Sequence, residues 1–203
     1  KGKMLDIGCN IGTFLKAAKE SGWECYGIDI NKEVEEECRK KGVTFFSQSL
    51  EKIRFKNNFF DAIIMNDLIE HVHHPKALIK EVTRILKPKG IIFIVTPNVG
   101  SITAHIMNRR WHHLKPNEHI IYFSKSTIKK LLQEAGLQVL FTKHGSRSRK
   151  LDTIITKSES FLGFVPPIRK IIPSLIRKQI VPFNVYDELC VIAKKIPHET
   201  NKD

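Results

Sequence analysis

A regular alternation of apolar strand-like runs and amphipathic helical patterns between residues 3 and 98 most constrains what this chain can fold into. Five apolar runs occur in this stretch, and helical patterns separate most of them. The fifth run, GIIFIVTPN, is apolar throughout, as is typical of a parallel strand that is covered on both faces. The alternation predicts a doubly wound α/β sheet.

After residue 97 the alternation stops. Residues 98–123 form a long connection rich in His, Asn and aromatic residues, and residues 161–183 form a basic segment interrupted by prolines. The remaining expected elements are a helix, a sixth strand and a last strand, at residues 124–137, 138–145 and 188–196. A helix is also expected over residues 75–90. We interpret residues 1–203 as a single domain that carries two insertions.

The composition indicates the cellular environment of the chain and the kind of partner that it binds. The four cysteines are scattered without a CxxC pair, which favours a reducing, cytoplasmic environment without disulfides or structural zinc. No apolar run approaches the roughly 20 residues of a membrane-spanning helix. The net charge of +13 favours an anionic partner, such as nucleic acid, a phospholipid surface or a phosphorylated acceptor. A lysine-rich solvated surface is the alternative explanation of this charge.

The turn after the first strand, Gly8-Cys9-Asn10-Ile11-Gly12, indicates a nucleotide-bearing ligand. It lacks the middle glycine of the GxGxxG dinucleotide motif, and Asp6 lies just before it, where a carboxylate would repel a pyrophosphate. S-adenosylmethionine carries an ammonium and a sulfonium instead, and its carboxylate is expected to accept from free N–H groups of the loop. Asp29, 21 residues after Gly8, can accept from both ribose hydroxyls.

Four segments together resemble those of the class I S-adenosylmethionine-dependent methyltransferases. LDIGCNIGTF resembles the family's first motif and YGIDI its second-strand acid. FFDAIIMNDLIEHVHHP resembles its fourth-strand motif, and EHIIYFSKSTIKKLLQEAGL the segment before its sixth strand. The resemblance is strongest to the small-molecule branch with quinone-biosynthesis O-methyltransferases and polysaccharide-pathway enzymes. It implies a Rossmann-like seven-stranded sheet of order 3-2-1-4-5-7-6 with strand 7 antiparallel, and it implies S-adenosyl-L-methionine as cofactor, leaving S-adenosyl-L-homocysteine as product.

The resemblance places the cofactor at the ends of the first four strands. The implied binding residues are Asp6, Gly8, Cys9, Asn10, Gly12, Asp29, Ile30, Ser49, Leu50 and Asn66. Ile30 would lie beside the adenine, and Asn66 near the methionine part and the sulfonium. Asn10 stands where the family usually has glycine, but asparagine tolerates a positive φ. Ser49 stands where the family often has an acid that binds the adenine amino group.

Three polar residues after the fourth strand, Asp67, Glu70 and His71, share one face of a helical turn. In some quinone O-methyltransferases a similar set is associated with a divalent metal, and a hard metal would accept these ligands. The alternative is that Glu70 and His71 cap and pack beneath the acceptor pocket. Because one turn supplies few ligands, we predict no metal site here.

The connection at residues 98–123 follows the fifth strand and is therefore expected to cover the transferable methyl group. Its aromatic and imidazole side chains would bind the acceptor: Trp111, His112, His113 and Tyr122. A histidine near neutral pKa can take a proton from a hydroxyl acceptor, and we assign this catalytic role to His119 because its local motif matches the family. Hydrogen bonding within the loop is the alternative role for each of these histidines.

The sequence predicts a methyltransferase of a small-molecule, lipid-linked or sugar-linked acceptor, acting at oxygen. A nucleic-acid methyltransferase is the second hypothesis, and the absence of an NPPY-like motif after strand 4 disfavours it. A non-catalytic S-adenosylmethionine-binding or membrane-docking module is the third. The sequence specifies no oligomeric state, and a cytoplasmic location, peripheral at a membrane in one hypothesis, is expected.

That membrane hypothesis depends on an amphipathic helical pattern in the basic insertion. Its apolar positions are Ile168, Ile171, Ile172, Leu175, Ile176 and Ile180. The apolar face either packs on the sheet or a second subunit, or enters the interface of an anionic membrane.

Overall fold

The computed structural model describes residues 2–144, 147–150, 180–183 and 187–197. Its strands are β1 (Lys3–Ile7), β2 (Glu24–Ile28), β3 (Thr44–Phe46), β4 (Phe60–Asn66), β5 (Leu86–Pro97), β6 (Leu137–His144), β7 (Arg147–Lys150), β8 (Ile180–Phe183) and β9 (Glu188–Lys195). Its α-helices are α1 (Thr13–Glu20), α2 (Glu35–Lys40), α3 (Leu50–Ile53), α4 (Pro75–Ile85), α5 (Ile102–Met107) and α6 (Lys125–Glu134). Single 3-10 turns span Lys32–Val34, Ile69–His71 and Asn108–Arg110.

Seven strands form one sheet in the order β3-β2-β1-β4-β5-β9-β6. The first five strands are parallel, and β9 runs antiparallel to both β5 and β6. Because β9 is the last strand of this sheet along the chain, the predicted order and the antiparallel seventh strand are confirmed. The carboxyl ends of β1, β2, β4 and β5 consequently meet at one edge of the sheet, together with the start of β9.

Alternate residues of the central strands pack into two separate layers. Leu5 of β1 and Ile63 of β4 belong to the larger core, which also holds the buried faces of α4 and α6. Met4 and Ile64 belong to the smaller core on the other face, beneath α1 and α2. This follows from the two-residue period of a strand, and it buries the sheet under helices on both sides.

The helix expected over residues 75–90 is shorter than predicted. It ends at Ile85, and the chain is already extended from Leu86. Pro88 explains the early end, because a proline removes a helical hydrogen-bond donor and disfavours helical geometry at the preceding residue. That residue, Lys87, instead pairs with Asp61 at 2.8 Å.

The insertions differ in part from expectation. The 98–123 connection contains a helix that was not expected, α5, which Ser101 caps by accepting from the Ala104 N–H. In the second insertion Ile180 lies in β8, which pairs antiparallel with β7, so its assignment to a helical face is wrong. Cross-strand hydrogen bonding to β7 overrides the helical period at this position. The other positions of the predicted amphipathic helix lie outside the described residues.

Within the described part of the chain, no helix has both the length and the apolarity needed to cross a membrane.

Candidate active site

The turn after β1 needs three residues in the left-handed region of backbone space. Gly8, Asn10 and Gly12 have φ angles of 79°, 47° and 67°. Two of these positions are glycines, for which this geometry costs little, and asparagine is the side chain that tolerates it best. The expectation that Asn10 can replace a glycine in this turn is therefore confirmed.

The turn is held together by its own N–H groups. The N–H groups of Gly8 and Cys9 donate to the Ile28 carbonyl at 2.8 and 3.0 Å, and that of Gly12 donates to the Cys9 carbonyl. The Asn10 N–H donates to Asp29 Oδ2 at 2.8 Å, and the Ile11 N–H donates to Asn10 Oδ1 at 2.7 Å. The expectation that these N–H groups are free for a ligand carboxylate is thus wrong. The first turn of α1 is the nearest place where N–H groups lack intrahelical partners.

Asp29, directly after β2, is held in place by two backbone donors. Its Oδ2 accepts from the Asn10 N–H at 2.8 Å, and its Oδ1 accepts from the Asn31 N–H at 2.9 Å. A carboxylate has about four lone-pair positions, so each oxygen keeps one for a further donor. The half-buried carboxylate is therefore oriented in advance and can still accept from two hydroxyl groups.

Asp6, near the end of β1, is a buried carboxylate with an unsatisfied oxygen. The residue is 5% exposed, and its Oδ1 has no hydrogen-bond partner. Burial, reinforced by the charge of Asp29, raises the pKa of Asp6 from 3.8 to about 7. An unpaired buried acceptor is costly, and an ammonium group placed beside it would satisfy it.

The other predicted cofactor residues lie around this edge with different exposures. Ile30 is 84% exposed, an unusual position for a large apolar side chain unless a ligand covers it. Ser49 precedes α3 and makes no side-chain capping bond there, whereas the Leu50 side chain is buried in the larger core. Asn66 is exposed at the end of β4, and its amide donates to Asp67 Oδ2 at 3.2 Å. Burial raises the pKa of the Cys9 thiol, which packs inside the turn.

Glu70 lies in the 3-10 turn after β4 and joins it to both β5 and the 98–123 connection. It is 1% exposed, and its Oε2 accepts from the Thr96 hydroxyl at 2.9 Å, while Oε1 has no partner. Burial raises the pKa of Glu70. Its carbonyl accepts from the N–H groups of Ile120 and Ile121 at 2.8 and 3.1 Å. The packing role foreseen for Glu70 therefore agrees with these contacts.

His71 and His119 meet edge to face, with ring centroids 4.8 Å apart. The Nδ1 of His71 lies 2.7 Å from the Glu118 carbonyl, and the Nδ1 of His119 lies 2.7 Å from the His113 carbonyl. A carbonyl oxygen only accepts, so the Nδ1 atom of each ring carries a hydrogen. Burial lowers the pKa of His119, which keeps the ring neutral and able to accept a proton.

One ligand atom each from Glu70, His71 and His119 lies within 4.8 Å of the others, which is a spacing that a metal ion could bridge. Asp67, the third member of the polar group expected after the fourth strand, is not part of this set. The prediction that no metal binds at the turn after β4 stays a prediction.

The aromatic residues of the connection form one cluster. The Trp111 ring lies 5.4 Å from that of His113 and 6.2 Å from that of Tyr122, between centroids. Trp111 is 3% exposed and its Nε1 has no hydrogen-bond partner, while the Tyr122 hydroxyl accepts from the Lys115 N–H. Tyr122 also lies 6.0 Å from His119, so the cluster continues to the two histidines described above.

His112 and His113 turn their Nε2 atoms toward Asp187, at 3.2 and 3.5 Å. Both histidines are among the predicted acceptor residues, whereas Asp187 is not among the predicted site residues. The sequence position of Asp187 could have indicated this contact. An acid directly before an antiparallel last strand lies at the same sheet edge as the end of β5. Thr96, the partner of Glu70, was also missed, since it lies inside an apolar strand pattern.

The predicted cofactor residues and the predicted acceptor residues occupy adjoining parts of one sheet edge. A Cβ placed on Gly8 would lie 3.1 Å from Leu68, two residues before Glu70. The sheet has the order 3-2-1-4-5-7-6 and carries a glycine turn, two strand-end acids and a covering aromatic connection. These features together define the class I S-adenosylmethionine-dependent methyltransferases. The chain belongs to the methyltransferase-domain family, whose model matches residues 1–141.

Similar proteins of known sequence and structure agree with this class. The chain is 29% identical over 112 residues to the ubiquinone biosynthesis O-methyltransferase of Methylococcus capsulatus, covering 52% of this chain and 47% of that protein. It is 30% identical over 148 residues to norajmaline N-methyltransferase of Rauvolfia serpentina, covering 68% of this chain and 46% of that protein. A crystal structure of an S-adenosylmethionine-dependent methyltransferase from Archaeoglobus fulgidus has a TM-score of 0.66 at 22% identity, covering 95% of this chain and 86% of that one. The chain spans about half the length of these two curated relatives.

Proposed function

We propose that this chain transfers a methyl group from S-adenosylmethionine to an oxygen atom of a small-molecule, lipid-linked or sugar-linked acceptor. The observation that carries the proposal is the unpaired, buried Asp6 carboxylate oxygen, which lies beside a glycine turn and near a second, pre-oriented acid. An ammonium group fits this environment and a phosphate does not.

The chain's own residues divide the cofactor between them. Asp6 would accept from the ammonium group, and Asp29 from the ribose hydroxyls, using the lone pairs that its backbone donors leave. The exposed Ile30 side chain would cover one face of the adenine. The cofactor supplies an electrophilic methyl group on its sulfonium.

On the acceptor side, the covering connection would align the acceptor and exclude water. Alignment supplies much of the acceleration of an in-line displacement. Trp111 and Tyr122 supply aromatic walls, and His119 presents a neutral imidazole whose Nε2 can take a hydroxyl proton. His71, in contact with His119, is a second base candidate that sequence reasoning did not single out.

The choice of oxygen is supported by the ubiquinone O-methyltransferase relative, whereas the norajmaline relative acts on nitrogen by its name. The net charge of +13 supports an acceptor that carries phosphate or another anion. A nucleic acid is the competing anionic acceptor.

Calorimetry with S-adenosylmethionine tests the cofactor half of the proposal. Asp6→Asn should weaken binding at least about tenfold, since it removes the charge that faces the ammonium. Glu20→Gln makes the same chemical change on the exposed surface of α1 and should leave binding unchanged. Equal affinities for all three proteins would contradict the role of Asp6.

Transfer of a labelled methyl group to a panel of phenols, sugars, amines and RNA tests the acceptor half. Labelling of a phenol or sugar hydroxyl, with loss of that labelling in His119→Ala, is expected. Labelling of amines or RNA alone would overturn oxygen as the acceptor atom. Cofactor binding without transfer to any acceptor would favour the non-catalytic module.

A further inference from the structure

A second polar cluster lies where the 98–123 connection meets the start of β9. It consists of His112 and His113 from the connection, and of Asp187 and Glu188 at the beginning of the strand. The imidazole ring centroids are 4.1 Å apart. The roles proposed above for Trp111, Tyr122 and His119 use none of these four side chains.

The separations among His112, His113 and Asp187 match those between ligands of one metal ion, since one ligand atom from each lies within 4.8 Å of the others. Asp187 Oδ2 lies 3.2 Å from His112 Nε2 and 3.5 Å from His113 Nε2, and Glu188 Oε1 lies 3.6 Å from His113 Nε2. Two ligands held about 2.05 Å from a tetrahedral zinc ion are about 3.3 Å apart. The two longer separations exceed the usual 2.7–3.2 Å range of a strong N–H···O hydrogen bond.

Burial and charge also favour a cation at this place. Asp187 is 5% exposed and Glu188 is 3% exposed, so two neighbouring carboxylates are withdrawn from water. Asp187 Oδ2 accepts no hydrogen bond of normal geometry although two imidazoles face it. Buried carboxylates need a positive partner, and a divalent ion supplies both charge and coordination.

The backbone holds these ligands in place from both sides. The carbonyl of His113 accepts from the Lys115 N–H at 2.9 Å and faces His119 Nδ1 at 2.7 Å. The carbonyl of Asp187 accepts from the Asn98 N–H at 2.7 Å. The turn that carries the histidines and the start of β9 are therefore fixed before any ion binds.

We propose that His112, His113 and Asp187 bind a divalent transition-metal ion of the zinc type, with the buried Glu188 carboxylate adding negative charge beside it. Two imidazoles with carboxylates suit zinc or a similar borderline ion better than magnesium or calcium, which prefer oxygen ligands. Three protein ligands, with a water molecule in the fourth position, form a tetrahedral site that fastens the connection over the acceptor to the sheet. The proposal departs from the sequence-based expectation of no metal and does not depend on methyl transfer.

Titration of the chelator-treated full chain with cobalt(II), followed by zinc, tests the proposal directly. Tetrahedral cobalt should give intense visible absorption that saturates at one ion per chain and disappears when zinc displaces it. His112→Ala and Asp187→Asn should each weaken cobalt binding at least about tenfold, since each removes a ligand. His112 is 29% exposed at its side chain, so its replacement is the variant least disturbing to the fold.

Two control variants separate this site from other histidines. His73→Ala combined with His74→Ala removes an exposed histidine pair and should leave binding unchanged. His71→Ala removes a member of the cluster around Glu70 and should also leave binding unchanged. Absence of the cobalt absorption in the wild-type protein, or its loss in His71→Ala with retention in His112→Ala, would overturn the proposal and leave the cluster a hydrogen-bonded ion pair.

Discussion

Asp29 already accepts two backbone hydrogen bonds without a ligand, which makes it both a part of the turn and a candidate ribose acceptor. We predict that Asp29→Ala weakens S-adenosylmethionine binding by about 1.5–3 kcal/mol, the range for hydrogen bonds to a charged group. Isothermal calorimetry measures this. Glu33→Ala, an exposed acid on the same segment, is the matched control, and an unchanged affinity in Asp29→Ala would remove Asp29 from the ribose.

We predict that the ionised Asp6 carboxylate, which is proposed to bind the cofactor, lowers the free energy of unfolding of the cofactor-free protein. The pKa of Asp6 is 3.8 unfolded and about 7 folded, so the folded state loses stability as pH rises between these values, and the loss is complete above pH 7. About three pKa units at about 1.4 kcal/mol each give an upper bound of about 4 kcal/mol. Asp6→Asn should therefore raise the free energy of unfolding at pH 8.

Urea unfolding at two pH values measures this effect. The stability gain of Asp6→Asn should be large at pH 8 and much smaller at pH 4, where the wild-type carboxyl is protonated in the folded state. A gain of the same size at both pH values would show that the ionised carboxylate is not the cause.

At the scale of elements, β2 and the turn after β1 are in close contact through Gly27. A Cβ at Gly27 would lie 2.7 Å from Cys9 Sγ and 3.1 Å from Leu15 Cδ1. Gly27→Ala should lower the free energy of unfolding by about 1–3 kcal/mol, the usual cost of overpacking. Adding Cys9→Ala removes the nearest atom and should recover part of that loss in denaturant unfolding. Purely additive effects of the two changes would contradict a steric cause.

The turn after β4 is predicted to work without magnesium. One Glu70 oxygen is bonded to Thr96, and the nearby imidazoles are poor magnesium ligands. Adding magnesium to the methyl-transfer assay should leave the rate unchanged. A large rise in rate with magnesium that is absent in Glu70→Gln would instead place a metal at this turn.

At the scale of the whole molecule, β9 completes the sheet from a part of the chain that follows both insertions. It lies between β5 and β6, and Leu189, Val191 and Ala193 are at most 1% exposed. A chain that ends after His144 should lose cooperative thermal unfolding, because β6 then has no strand to pair with and β5 loses its cover. A chain that ends after Pro197 keeps β9 and should unfold like the full protein. Equal transitions in the two shortened chains would contradict this prediction.

The sequence pattern by itself predicted a doubly wound sheet and the acids beside its glycine turn, whereas the strand order was implied by the family resemblance. The two-residue strand period and the glycine turn act over short distances, so they can be read along the chain at Asp6, Gly8 and Asp29. The end of α4 could also have been read locally, from Pro88.

Only the tertiary structure decided which distant polar groups meet. Strand order and the path of the 98–123 connection bring these groups together: Glu70 with Thr96, His71 with His119, and the two histidines of the connection with Asp187. No local period encodes such pairings, because each depends on the register of strands that are far apart in sequence. The same register leaves Asp6 buried with an unsatisfied oxygen, which is the feature on which the proposed contact with the cofactor ammonium depends.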